Sequence, residues 1–306
     1  LHLDITLRPV LSLGAGCSVL RSFLFPIFAL HVHFAFSVLL PVILGTRDAI
    51  AAETGVRVRV GAGGGIGCPE AAAAAFAMGA DFVLTGTINQ MTRQAGTCDN
   101  VRKQLSEASY SDIAMAPAAD MFDQGVELQV LKKGTMFPAR AKTLYELFVK
   151  YPSLEALPDA TRTKLEKTIF RAPLADIWAE TTRFHVEQLK DPEKIRMAES
   201  DPKLKMSLVF RWYLSKSSGF ANRGVQGREL DYQIWCGPAI GAFNRFVKGT
   251  YLDPKVAGVY MDVWEANMQA LRGAQALRRF AQIKAEPSLR STVAAEVLAP
   301  YRPEPL

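Results

Sequence analysis

The residues best suited to chemistry are the glycines of Gly61-Ala-Gly-Gly-Gly-Ile-Gly67, with Thr85-Gly-Thr87 a short distance on. Glycine lets backbone approach a ligand, and a glycine turn between a strand and a helix points amide N–H groups at an anion. Two such turns on neighbouring parallel strands converge on one phosphate. A dinucleotide fingerprint fits less well, because Ile66 stands where the third glycine belongs and Asp81 precedes its strand instead of closing it. No Gly-Lys-Ser/Thr follows the cluster, which excludes a Walker loop. The plain alternative is a tight turn with no ligand.

The elements that must position these turns follow from the local sequence. Arg57 to Val60 reads as a short buried strand, and Asp81 to Thr85 repeats the pattern. Between them Pro69 suits a first helical position, Glu70 its first turn, Ala71 to Met78 the body, and Gly79 a left-handed cap. The spacing predicts one βαβ unit.

These residues, with Gly79-Ala-Asp81, Asn89-Gln90, Phe210-Arg-Trp-Tyr213 and Asp231-Tyr-Gln-Ile-Trp-Cys-Gly-Pro-Ala-Ile-Gly-Ala-Phe-Asn244, resemble the PfaD enoyl reductases of polyunsaturated fatty acid and polyketide synthases. That family lies in the flavin-dependent nitronate monooxygenase superfamily. The resemblance covers roughly Leu39 to Arg279 and implies an α/β fold: the C-terminal part of an FMN-binding TIM barrel, followed by an all-helical region. By the match, Gly63, Gly64, Gly65, Gly86 and Thr87 supply the backbone that holds the flavin phosphate. The implied enzyme is a flavin-dependent oxidoreductase that passes hydride from NADPH through FMN to an enoyl thioester. Its implied partners are acyl carrier protein or other synthase subunits, with a small acyl thioester as substrate. The family's Gly-Gly-His is absent between Asp4-Ile-Thr6 and Leu40-Pro-Val-Ile-Leu44, so the catalytic residues are unknown. An alternative reading is a catalytically incomplete fragment that serves as a synthase interaction module.

At 306 residues with 22% charged side chains, the chain is globular and not disordered. A net charge of +6 is spread out, with no basic stripe for nucleic acid, although it suits an acidic partner. The four cysteines, Cys17, Cys68, Cys98 and Cys236, have no metal-ligand spacing and read as reduced thiols of a cytoplasmic protein. Ser22 to Thr46 lacks formal charge and has the length of a membrane span, but Pro26, Pro41, His31 and His33 count against one; the other reading is a gene-model artefact. The expected domains are an atypical apolar segment at 1–45, a partial barrel at 46–139, a helical region at 140–285 resembling the malonyltransferase helical insert, and a tail at 286–306.

Further readings concern individual positions. Gly45 ends an apolar helix, and Thr46 to Thr54 forms a surface helix with Arg47 outward. Asp99 caps a helix, and Met115 to Phe122 forms another. Lys132 and Lys133 are surface lysines, or ligands for a phosphopantetheine phosphate. Cys236 is structural because no base is placed beside it, and His185 is structural before it is a general base. Val263 to Ile283 is the longest helix, with Trp264, Met268 and Leu271 on its core stripe.

Overall fold

The computed structural model describes residues 36–284. The readings on Asp4-Ile-Thr6, Cys17, His31, His33 and the tail at 286–306 lie outside the described residues, as does most of the Ser22–Thr46 run.

Helix α1 (Phe36–Thr54) runs unbroken through Pro41 and Gly45. Gly45 therefore does not end it: Leu40, Leu44 and Arg47 recur at helical spacing and are buried together, and this packing outweighs the weak propensity of one glycine. Arg47 is correspondingly buried and not outward, and donates to Asp48 and to Asp81, each at 2.9 Å. The contact with Asp48 leads, ahead of opposing burial, in pushing its guanidinium pKa up. Among the described residues no helix is long and apolar enough to cross a membrane.

Strands β1 (Gly61–Gly63) and β2 (Phe82–Leu84) pair in parallel around helix α2 (Pro69–Ala77). The βαβ unit, the leading Pro69 and the left-handed Gly79 (φ 100°) agree with the sequence reading. The first strand does not, for it lies at the first glycines and not at Arg57–Val60. Asp81 fixes this register: its N–H donates to the Val60 carbonyl at 2.8 Å and its carboxylate accepts from the Val60 N–H at 2.9 Å. The Phe82 ring then covers Gly61, where a Cβ would lie 2.2 Å from it. Gly61 is a strand residue because an aromatic ring occupies the place of its side chain.

The next elements are α3 (Asp99–Ser106), the antiparallel strands β3 (Ile113–Pro117) and β4 (Glu127–Leu131), α4 (Phe137–Lys150), α5 (Asp159–Leu165), α6 (Leu174–Arg183), α7 (Pro192–Ser200) and α8 (Pro202–Arg223). Asp99 is the first residue of α3 and not its cap, which is Cys98. Met115 lies on a strand and not a helix, because β4 offers a full ladder from Ile113↔Leu131 to Pro117↔Glu127. Phe122, Phe137, Phe170, Phe210 and Tyr213 form the buried aromatic centre of this part. The described residues end with α9 (Ala239–Val247), α10 (Pro254–Ala257) and α11 (Val263–Lys284).

Two compact units result: residues 96–237 form one, and the flanking residues on both sides form the other. The chain thus leaves the first unit after Ala95 and returns at Pro238, whereas the sequence divisions fall at 45/46, 139/140 and 285/286. Helix α11 completes the first unit by packing on α2. It buries Ala266, Ala270, Ala274 and Ala276, and α2 presents Ala72 and Ala75. Trp264 is 72% exposed, so the core stripe of α11 is alanine and not Trp264, Met268 and Leu271. Small side chains allow two helices to approach closely; bulky ones are left at the margin.

Helices dominate. The described strands form one parallel and one antiparallel two-stranded sheet, so the chain is mixed α/β and these strands do not close a barrel.

Candidate functional site

The parallel register sets both glycine turns at one level. Gly63 pairs with Leu84, so the chain leaves both strands on the same edge, at Gly64–Gly65 and at Thr85–Gly86. Paired strands stand about 4.8 Å apart. Both turns therefore face one small volume beyond the strand ends.

The glycines answer to different demands. Gly64 and Gly65 adopt φ of 87° and 73°, a region in which a side chain is strained. Gly67 packs on α9, where a Cβ would sit 2.7 Å from the Ala239 carbonyl oxygen. Gly86 has a φ of −118°, and a Cβ there would meet no atom within 4 Å. Nothing among the described residues requires Gly86 to be glycine. Of the remaining expected phosphate positions, Gly63 is buried at the end of β1 and Thr87 opens the 3₁₀ turn Thr87–Met91.

Helix α11 reaches the second turn. Thr85 Oγ1 donates to Asn267 Oδ1 at 2.6 Å, Asn267 Nδ2 donates to Asn89 Oδ1 at 2.8 Å and to the Val263 carbonyl at 2.7 Å, and Asn89 Nδ2 donates to the Thr85 carbonyl at 2.7 Å. Beside this ring lies a cavity of about 180 Å³ between α2 and α11, bordered by Ile66, Cys68, Val83, Trp264, Met268 and Leu271. Among the described residues its lining contains no Asp, Glu, His, Lys or Arg, and burial pushes the Cys68 thiol pKa up. Sequence reasoning missed Asn267, and the available signal was an amide set between Trp264 and Met268 on a presumed apolar stripe.

Other candidates fall in the second unit. Burial, followed by the charge of Asp112, pushes the Cys236 thiol up to about 12, so it stays protonated and is a poor nucleophile. Among the described residues His185 Nδ1 is buried without a hydrogen-bond partner, and burial pushes the imidazole pKa down. The charged groups acting on it are Asp191, Arg211 and Lys194; Cys236 is not among them. Lys132 and Lys133 are exposed, and Lys133 Nζ donates to the Glu107 carbonyl at 3.0 Å. Among the described residues no group of His, Cys, Asp and Glu is arranged to hold a metal.

A polyunsaturated fatty acid synthase component of Thraustochytrium sp. is 60% identical over 256 residues, which is 82% of this chain and 17% of that protein. The polyketide biosynthesis protein PksE of Bacillus subtilis is 47% identical over 217 residues, 70% of this chain and 28% of that protein. The crystal structure of the enoyl reductase domain of MlnA, from the macrolactin biosynthesis cluster of Bacillus amyloliquefaciens, is 35% identical with a TM-score of 0.75, covering 83% of this chain and 56% of that one. The chain belongs to the PfaD-like enoyl reductase family. Residues 151–232 of this PfaD-like chain also match the inserted helical domain of [acyl-carrier-protein] S-malonyltransferase. That match lies wholly within the second unit, so in this PfaD-like chain the malonyltransferase-like helices occupy the segment that interrupts the first unit. The chain spans less than a third of the length of each of the first two relatives.

Proposed function

We propose that this chain forms the FMN-phosphate end of an enoyl reductase acting in polyunsaturated fatty acid or polyketide synthesis, with β1 and β2 as the last two strands of a TIM barrel. The observation that carries this reading is the Gly63↔Leu84 register, which sets two glycine turns on one edge of a parallel pair. The residues fit a phosphate: Gly64 and Gly65 hold a conformation open to backbone approach, and among the described residues no atom fills the space at Gly86. Gly63, Gly64, Gly65, Gly86 and Thr87 would hold the group through their backbone. Bound FMN supplies hydride transfer to the enoyl thioester, with NADPH as reductant. This chain's part is to anchor and orient the flavin through its phosphate, with the glycine turns as the backbone that faces it. The substrate is an acyl thioester carried on an acidic acyl carrier protein, which suits the chain's +6 charge.

Titration of the purified chain with FMN, followed by flavin fluorescence, tests the reading. Saturable quenching is expected, and Gly86→Asp, which sets a carboxylate in the phosphate's place, is expected to weaken it at least ~tenfold, the equivalent of ~1.4 kcal/mol. Gly86→Ala serves as the folded control. Absence of quenching in a folded protein would reject the flavoenzyme reading and leave a synthase interaction module, for which the malonyltransferase-like helices at 151–232 speak.

A further inference from the structure

The second glycine turn is held by a residue 182 positions away in sequence. Thr85 and Asn89 flank Gly86 on either side, and Asn267 binds both: it accepts from the Thr85 hydroxyl at 2.6 Å and donates to the Asn89 side chain at 2.8 Å. Asn89 closes the ring on the Thr85 carbonyl at 2.7 Å. Attachment of α11 needs none of this, since Ala266, Ala270 and Ala274 are buried where α11 packs on α2. Gly86, by contrast, would carry a Cβ without meeting any atom of the described residues within 4 Å, so no neighbouring side chain packs against it to brake its backbone. The hydrogen-bonded ring supplies that brake.

We propose that Asn267 is a positioning residue for the phosphomonoester of a bound ligand: it fixes the Thr85–Thr87 turn in the conformation that presents its backbone to the phosphate. The inference rests on the flavin-phosphate reading above and adds a contribution from α11 to it. The gain is pre-organisation, because a turn already held loses less freedom on binding. In this role Asn267 acts on the phosphate through Thr85 and Asn89, to which it is hydrogen-bonded, so its loss is expected to act on phosphate recognition and not on contacts to the ring system. Riboflavin, which lacks the phosphate, is the discriminating probe.

The experiment titrates the wild-type chain, Asn267→Ala, Thr85→Val and the double variant with FMN and with riboflavin, alongside thermal melting. Each single variant is expected to weaken FMN about tenfold, with riboflavin affinity unchanged and the double variant no worse than either single, as members of one ring are non-additive. Thr85→Ser, which keeps the hydroxyl, is expected to retain FMN affinity and replaces the Asn267 comparison if Asn267→Ala does not fold. Equal losses for FMN and riboflavin, or unchanged FMN affinity, would overturn the positioning role while leaving the flavin site standing. A folded wild-type chain that does not bind FMN would overturn the flavin reading itself, and the inference with it.

Discussion

At Gly67 a Cβ would press on the Ala239 carbonyl, whereas at Gly86 it would meet nothing, so two glycines of one site obey different forces. Gly67→Ala is expected to cost ~1–3 kcal/mol by overpacking and Gly86→Ala less than ~0.5 kcal/mol, both read from denaturant unfolding. Buried thiols give a second residue-scale prediction. With Cys236 pushed up to about 12 and the Cys68 thiol also raised by burial, alkylation at pH 8 followed by peptide mapping should label the half-buried Cys98 before either. His185 gives a third. Its folded pKa lies below the ordinary 6.5 because of burial, so the unfolded chain takes up more protons as pH falls through that value. Stability is therefore lost on acidification below about 6.5, and His185→Leu should flatten that part of the pH profile relative to wild type.

Among the elements, the turn preceding the Tyr232–Gly237 segment shows what holds the second unit together. Asp231 is fully buried and its carboxylate accepts from the Tyr213 hydroxyl at 2.8 Å, from Arg228 at 3.1 Å and from Arg140, while Arg171 stands 3.3 Å away. These partners come from α4, α8, the Glu166–Phe170 π-turn's exit and the Asp231 turn itself, so one carboxylate ties four segments. Asp231→Ala would leave three guanidinium groups facing one another in a largely buried site, and a loss of ~3–5 kcal/mol in unfolding free energy is expected. None of this was legible in sequence, because Arg140, Arg171 and Arg228 are spread over the helical region and only the fold gathers them. Local signals were legible where local physics decides: Pro69 and Gly79 bound α2. They failed where a distant partner decides. Asp81 and Phe82 move the first strand onto the glycines, Leu40 and Leu44 carry α1 past Gly45, and the alanine face of α11 leaves Trp264 outside.

For the whole molecule, the discontinuous first unit explains why the site could be only half read. The two glycine turns lie together in sequence and were found together, but the helix that braces one of them follows the intervening unit of residues 96–237. The segment that leads out of the first unit is tied to the start of α11: the Arg93 N–H donates to the Met261 carbonyl at 3.0 Å, and Gln94 bonds both Asp262 and the Val263 N–H. This brings α11 back beside the turns. Hydrogen exchange followed by mass spectrometry, with and without FMN, is the test of the proposal that both glycine turns grip one flavin phosphate. Slowed amide exchange is expected in the two segments 63–67 and 85–89 with FMN, and much less with riboflavin. FMN binding that leaves both segments unprotected, or protects only one, would contradict it.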